Sequence, residues 1–260
     1  MFRCQESLEI DLTFTVLYIL FRVLYTINSR IYLLMKKIVF TALLLVSGLT
    51  QATDLSALSH YYLSGKVGDA NLQADNMNTS LRPGIGNFVA GEDTRNRTQV
   101  SLAAGYNFEN GWRTEAEYTI KQDAEFLSGS TAFPTSFNHH KIDADRVMLN
   151  AYRDFKITSK IAAYGNIGIG VSRVKSSGWQ GNQSRQYLAN TETQLAYSVG
   201  AGLSYIPVKN TNVDLGYRFL DLAKIESGMN NFTNVRGLQD EQMKAHLYAN
   251  EFYLGLRYQF

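Results

Sequence analysis

The sequence lacks the several cysteines with which small secreted domains form disulfide bonds. It also has no uninterrupted apolar segment long enough for a membrane helix. It contains one cysteine, Cys4, and three prolines in 260 residues. A single thiol cannot form an internal disulfide framework. The first apolar stretch, LTFTVLYILFRVLYTINSRIYLL, is interrupted by Arg22 and Arg30. It is therefore a poor membrane span, since such a helix needs about 20 residues almost free of charge.

A secretory signal peptide follows that stretch. Residues 35–52, MKKIVFTALLLVSGLTQA, contain two lysines, then an apolar run, then small or polar residues up to Ala52. We predict cleavage after Ala52 and translation from Met35, with residues 1–34 as an upstream extension from a mis-assigned start. A genuine membrane span in that extension is the alternative. The mature chain, residues 53–260, has no cysteine, which suits an exported bacterial envelope protein without disulfides.

Charge balance excludes a nucleic-acid-binding protein. Without residues 1–52, Lys and Arg fall from 25 to 20 and Asp and Glu from 23 to 20. A nucleic-acid-binding domain needs a clear excess of positive charge. The chain is instead rich in aromatic residues, at 12%, and in glycine, which together with the scarce proline favours β-strands.

Apolar and polar residues alternate through most of the mature chain, which is the pattern of β-strands with two different faces. In TQVSLAAGYNF, for example, Val100, Leu102 and Ala104 share one face, and the turn Glu109-Asn110-Gly111 leads into the next strand. We predict eight strands, near residues 61–73, 98–108, 112–126, 142–155, 161–175, 193–205, 211–222 and 245–260.

The composition of the second face favours a membrane barrel over a soluble barrel or sandwich. That face carries small residues and a few charges of both signs, whereas a soluble sheet would expose many lysines and glutamates. Aromatic residues concentrate near strand ends, as in the girdles of membrane barrels. Short connections at 109–111, 156–160 and 206–210 alternate with long polar ones near 74–97, 127–141, 176–192 and 223–244. The predicted fold is an all-β, eight-stranded antiparallel up-and-down transmembrane barrel with short periplasmic turns and four long extracellular loops.

The last strand, NEFYLGLRYQF, alternates large apolar residues up to Phe260. In a closed barrel this strand pairs with the first, because hydrocarbon does not tolerate unpaired backbone groups.

The chain resembles the small outer-membrane barrels of the OmpA-like and opacity-protein superfamily. The segments GYNFENGWRTEAEY, AYGNIGIGVS, YSVGAGLSY and VDLGYRF are most similar to the opacity porins and to adhesins and invasins of the Tia/Hek type. This resemblance implies attachment to a host surface through the exposed loops, in some members through heparan sulfate. It also implies that Tyr258 and Phe260 form the signal recognised by the barrel-assembly machinery, and that the protein sits as a monomer in outer-membrane lipid without a cofactor.

The loops contain basic residues but no dense basic run, although sulfated polymers bind through clustered cations. The candidates for contact with a sulfated glycan or another host receptor are Arg82, Arg95, Arg97, Lys175 and Arg185. Ordinary solvated charge is the alternative interpretation of these residues.

Charged residues of both signs also fall on the inward-facing positions of the strands. They are Arg113, Glu115, Glu117, Lys121, Arg146, Asp214, Arg218, Glu251 and Arg257. Eight strands enclose an interior about wide enough for side chains alone, and buried charges need partners. We predict a salt-bridge network that fills the lumen, with a conducting pore as the alternative.

One short motif suggests catalysis or metal binding. HHKIDAD places His139, His140, Asp143 and Asp145 near a strand end, but adjacent residues of an extended segment point to opposite sides. The sequence thus predicts an adhesin or invasin rather than an enzyme. A small porin or envelope-stabilising barrel is the first alternative, and an enzyme at the outer rim is the second.

Overall fold

The structure is a computed structural model that describes residues 59–260. The predicted signal peptide at 35–52 and the upstream residues 1–34 lie outside this part of the chain. The described residues form nine strands and one short 3-10 turn, Met77–Thr79. The strands are β1 (Tyr61–Asp75), β2 (Phe88–Ala90), β3 (Thr94–Asn107), β4 (Trp112–Ser130), β5 (Asn138–Lys156), β6 (Ile161–Gln180), β7 (Asn182–Val208), β8 (Thr211–Glu226) and β9 (Lys244–Gln259).

Eight of these strands close into an antiparallel barrel, as predicted. Consecutive strands from β3 to β9 pair with one another, β1 pairs with β3, and β1 also pairs with β9 from Tyr62↔Gln259 to Asp75↔His246. The short β2 pairs with the upper part of β4 and is the one strand that the sequence did not predict. Next to the closing ladder, the Phe260 amide donates to the Tyr61 carbonyl over 3.2 Å. Within residues 59–260, no helix is long and apolar enough to cross a membrane.

The two ends of the barrel have different connections. Tight turns at 108–111, 157–160 and 209–210 lie at one end, here called the turn end; the opposite end is the loop end. The prediction of four long loops is wrong for two of them. The β4–β5 connection spans only 131–137, and the residues expected to form a loop at 176–192 are almost all strand. Gly181 alone separates β6 from β7, with a φ of 69° that glycine adopts without strain.

Strands therefore run further toward the loop end than their polar composition suggested. Polar residues at 176–192 remain paired because the β6–β7 ladder satisfies their backbone groups, with register shifts near Ser176 and Trp179. Two further irregularities interrupt the same half of the barrel, between Thr119 and Gln122 and between Asp221 and Lys224.

Candidate functional site

The lumen near the middle of the barrel holds an ionic layer formed by Lys66, Glu115, Glu117, Arg146, Arg218 and Glu251. All six are buried. Arg218 bridges two carboxylates, with contacts of 2.6 Å to Glu117 and 2.6 Å to Glu251. Lys66 contacts Glu115 and lies 2.6 Å from Glu117, and Arg146 lies 2.6 Å from Glu251. Each charge thus has a partner of opposite sign, as burial requires.

Two separate ion pairs continue the polar lumen toward the turn end. Arg113 contacts Asp154 at 3.0 Å, and Arg257 contacts Asp214 at 3.2 Å. The Arg113 guanidinium also stacks on the Tyr152 ring, with 3.8 Å between its central carbon and the ring centroid. Together with the ionic layer, these pairs account for eight of the nine residues named from the sequence.

Lys121 is the ninth, and the structure places it outside the lumen. Its side chain is 56% exposed and contacts Asp143 at 3.0 Å. The bulge between Thr119 and Gln122 adds one residue to β4 relative to β5, so the inward-facing positions shift by one beyond it. Sequence alternation alone does not locate such a bulge.

Lys66, which contacts both Glu115 and Glu117, is not among the residues predicted from the sequence. The alternation of β1 would have predicted its position, because Tyr62, Ser64 and Lys66 are alternate residues of this strand and all face the lumen. Asp154, the partner of Arg113, could also have been found from the alternation of β5.

An apolar layer fills the lumen between the ionic layer and the loop end. It includes the buried side chains Leu72, Phe126, Ile142, Val174, Leu220, Leu222 and Leu247. On the outer surface at this height lies a charged collar, formed on β4–β6 by Lys121, Asp123, Glu125, Lys141, Asp143, Asp145, Arg173 and Lys175. The loop-end half is therefore apolar inside and charged outside.

The turn-end half has the opposite arrangement. Its outer surface is an apolar band with exposed aliphatic and aromatic residues, among them Leu149, Ile167, Ile169, Val199, Leu203, Leu215, Phe252 and Leu256. Aromatic pairs lie at both margins of this band. The ring centroids of Tyr61 and Tyr106 are 5.0 Å apart at the margin near the turn end. Those of Tyr217 and Phe252 are 4.8 Å apart at the margin toward the loop end. This arrangement suits a hydrocarbon environment outside and a polar interior.

A roof cluster of buried polar residues, Arg82, His140, Tyr187 and Glu241, lies at the loop end. The Tyr187 hydroxyl donates to Glu241 over 3.1 Å, and a His140 ring nitrogen lies 2.6 Å from the Ser176 hydroxyl. Burial and, to a smaller extent, the positive charge of Arg82 lower the pKa of His140 to about 4. Burial raises the pKa of the Glu241 carboxyl for the same reason.

The two loops that carry Arg82 and Glu241 are held together by backbone hydrogen bonds. Leu81 and Gln242 form a two-way β-bridge, with both N–H···O distances at 2.8 Å. The Ser80 hydroxyl contacts the Lys244 backbone at 2.9 Å and 3.2 Å. The 76–93 and 227–243 loops therefore form one connected surface.

The five basic residues proposed for glycan contact do not come together. Arg95 pairs with Glu92 and Arg97 donates to the Asp123 carbonyl over 2.6 Å. Lys175 lies on β6, separated from both by β4 and β5. The remaining two are also apart from this group: Arg185 donates to Gln180 and stacks on Phe232, and Arg82 is buried in the roof cluster.

The two adjacent histidines lie on opposite faces of β5. His139 is on the outer surface, 2.7 Å from Glu125 and stacked on Trp179, whereas His140 faces inward. Within residues 59–260, no group of three or more His, Cys, Asp or Glu is placed to hold a metal ion.

Comparison with known proteins gives consistent matches to outer-membrane barrels. Residues 38–260 match the family described as the outer membrane protein beta-barrel domain. Outer membrane protein PagN of Salmonella typhimurium is 24% identical over 221 residues, which cover 79% of this chain and 92% of PagN. Neisserial surface protein A is 16% identical, with 77% of this chain and 97% of that chain covered and a TM-score of 0.45. Ail, the attachment invasion locus protein of Yersinia pestis, was solved in complex with the heparin analogue sucrose octasulfate. It is 17% identical, with 77% of this chain and 99% of the Ail chain covered and a TM-score of 0.39.

Proposed function

Because the chain belongs to the outer-membrane β-barrel protein family and lies in the bacterial outer membrane, we propose that it attaches the cell to other surfaces through its loop end. The barrel acts as a rigid anchor, and the connected 76–93 and 227–243 loops form the binding surface. The observation that carries this proposal is the reversal of polarity along the strands. The strands continue toward the loop end beyond the apolar band of the outer surface, and there they are charged outside and apolar inside. These parts of the strands form a packed support that holds the loops above the lipid.

The length of the strands supports such a raised surface. A tilted strand crosses a bilayer with about 9–11 residues. β6 has 20 residues and β7 has 27, so both continue well past the hydrocarbon. The outward residues immediately beyond the band are charged or hydroxyl-bearing, as in Arg173, Lys175 and Thr193. A barrel that only sealed or stabilised the membrane would not need this extension.

The filled lumen favours attachment over the small-porin alternative. An ionic layer and an apolar layer follow one another along the axis, and both consist of closely packed buried side chains. The rim-enzyme alternative would need His139 and His140 on one side of the strand, but they lie on opposite faces. Among the alternatives, surface attachment thus has the most support.

The test is an attachment assay with bacteria that display loop variants. Replacing 227–243 with a short Gly/Ser linker should abolish attachment, because it removes one side of the binding surface. The matched control replaces residues 209–210 at the turn end and should attach normally. Heat-modifiable gel mobility must show that both variants form folded barrels. Attachment that persists after replacement of both 76–93 and 227–243 would refute the proposal.

A further inference from the structure

Arg82 differs from every other buried arginine in the described part of the chain. Five arginines there are buried, and four of them contact a carboxylate: Arg113, Arg146, Arg218 and Arg257. Arg82 is only 6% exposed but forms no ion pair among residues 59–260. A buried guanidinium without a counter-charge is costly, so a missing anionic partner needs an explanation.

The hydrogen-bonding groups of Arg82 are also incompletely used. Its Nε and Nη1 atoms are buried and have no hydrogen-bond partner. Tyr187 and Glu241 lie close enough to influence its charge, but the Glu241 carboxylate accepts the Tyr187 hydroxyl and does not reach ion-pair distance from Arg82. Tyr187 and Glu241 thus offset part of the Arg82 charge, but Arg82 has no direct ion pair and two of its donor atoms have no partner.

Arg82 lines a cleft that opens on the outer surface between the two connected loops. The cleft has a volume of about 630 Å³ and is lined by Ser80, Leu81, Arg82, Pro83, Met229, Arg236 and Asp240. Its second cation, Arg236, is already neutralised by Asp240. Leu81 and Met229 expose nearly half of their surfaces beside it. The lining of the cleft thus combines one arginine that has no direct ion pair with aliphatic side chains.

We propose that this cleft binds a peptide segment of a partner protein that carries a carboxylate beside an aliphatic side chain. The carboxylate supplies the direct ion-pair partner that Arg82 lacks, and the aliphatic group covers Leu81, Pro83 and Met229. A polysulfated polymer fits less well, since it needs several cations close together. An acidic sugar also fits less well, because the cleft lining contains no aromatic ring for a sugar face to stack on. The inference rests on the proposed attachment function and names its site and partner class.

Binding can be measured on the refolded full-length mature chain in detergent micelles. The probe is the capped peptide acetyl-Leu-Glu-Leu-amide, and its neutral isostere acetyl-Leu-Gln-Leu-amide is the matched ligand. Arginine side-chain Nε–H signals are followed by NMR, with the Arg82 signal identified by its absence in Arg82→Gln. The acidic peptide should shift the Arg82 signal saturably. The neutral peptide should bind at least about tenfold more weakly, since a charge-assisted hydrogen bond is lost.

Variants separate the role of Arg82 from general charge effects. Arg82→Gln should weaken acidic-peptide binding at least about tenfold, and Arg82→Lys should restore part of it because the charge is retained. Lys209→Gln, at the turn end, removes the same charge far from the cleft and should leave binding unchanged. If Arg82→Gln fails to show heat-modifiable mobility, Arg82→Lys identifies the Arg82 signal instead, and the comparison of the two peptides on the unchanged protein still decides the question.

Three results would overturn the inference: equal binding of both peptides, no saturable shift with the acidic peptide, or saturable binding of N-acetylneuraminic acid without peptide binding. The last result would assign the cleft to acidic sugars. Failure here is distinguishable from failure of the attachment proposal. If loop replacement abolishes attachment but the peptide does not bind, only the cleft inference fails. If the peptide binds and attachment survives loop replacement, only the attachment proposal fails.

Discussion

The two halves of this barrel use the same strands with opposite polarity. In the turn-end half, β5 points Val147 and Leu149 outward and Arg146 inward; toward the loop end it points Asp143 outward and Ile142 inward. The alternation of side chains does not change along this strand. The surroundings change, because apolar groups face hydrocarbon outside the first half and the packed interior of the second. A single strand thus belongs first to a membrane barrel and then to a soluble-type barrel.

The boundary between the halves can be traced across neighbouring strands. Val147, Val171 and Leu195 are direct cross-strand partners on β5, β6 and β7, and all three are exposed and apolar. The next outward row toward the loop end is Asp145, Arg173 and Thr193, again direct partners. One step of two residues along each strand replaces an aliphatic row by a polar one. This step marks the edge of the lipid-facing band.

The largest effect should come from removing a charge in the ionic layer. Arg218→Met leaves Glu117 and Glu251 buried without their shared partner, and breaking a buried pair from one side costs about 3–5 kcal/mol. We expect a loss of about 4 kcal/mol in the free energy of unfolding, measured by urea titration in detergent micelles. The double variant Arg218→Met/Glu117→Gln should recover part of it. A loss below about 1 kcal/mol would show that solvent reaches this layer.

The second effect should distinguish the apolar layer from the lipid-facing surface. Leu247 is fully buried, so Leu247→Ala should cost about 3 kcal/mol by leaving a cavity. Leu256→Ala on the same strand is the control; Leu256 faces lipid, which fills the space, and the cost should be well under 1 kcal/mol.

The two tryptophans allow this loss to be located. Trp112 lies at the turn end and Trp179 near the loop-end hairpin. In single-tryptophan versions of Leu247→Ala, we expect Trp179 to report unfolding at a lower urea concentration than Trp112. Coincident transitions would indicate that the two halves unfold as one unit, contrary to the difference in packing.

The third effect should appear only in acid. His140 is buried and its pKa is lowered to about 4 by burial and by Arg82, compared with about 6.5 in the unfolded chain. Between these values the unfolded chain binds a proton that the folded one does not, so stability falls as pH falls. The loss should reach about 3 kcal/mol near pH 4 and vanish at pH 7. His140→Gln should flatten this dependence, and His139→Gln, on the outer face, should leave it in place.

The fold was predictable because alternation and turn chemistry are local properties of the chain. All eight barrel strands, the closure by the last strand and the tight turns followed from them. The positions at which the strands end toward the loop end were not predictable in this way. Polar residues such as those at 176–192 have the composition of a loop, and composition alone does not show that they pair with a neighbouring strand. Val171 and Arg173 are successive outward-facing residues of β6. The change from an aliphatic to a charged residue between them indicates where the lipid-facing band ends, although the strand itself continues.

The lumen charges were predictable only where the register was regular. Arg113, Glu115 and Glu117 follow the alternation of β4, whereas Lys121 lies beyond a bulge that no local signal revealed. Arg82 was recognised as basic, but its burial and its lack of a direct ion pair depend on contacts between the 76–93 loop and the distant 227–243 loop. Contacts between two loops so far apart in the chain cannot be predicted from the local alternation of residues.

The smallest effect should sharpen the boundary itself. Val199 and Thr193 face outward on the same strand, three alternations apart, on opposite sides of the edge defined by Leu195. Val199→Lys places a charge against hydrocarbon and should cost about 2 kcal/mol in urea titrations with lipid vesicles. Thr193→Lys places the same charge beside the charged collar, next to Arg173, where water reaches it, and should change stability by less than about 0.5 kcal/mol. Equal costs at the two positions would mean that lipid extends past Leu195, and the raised support proposed for the loops would then be buried in the membrane.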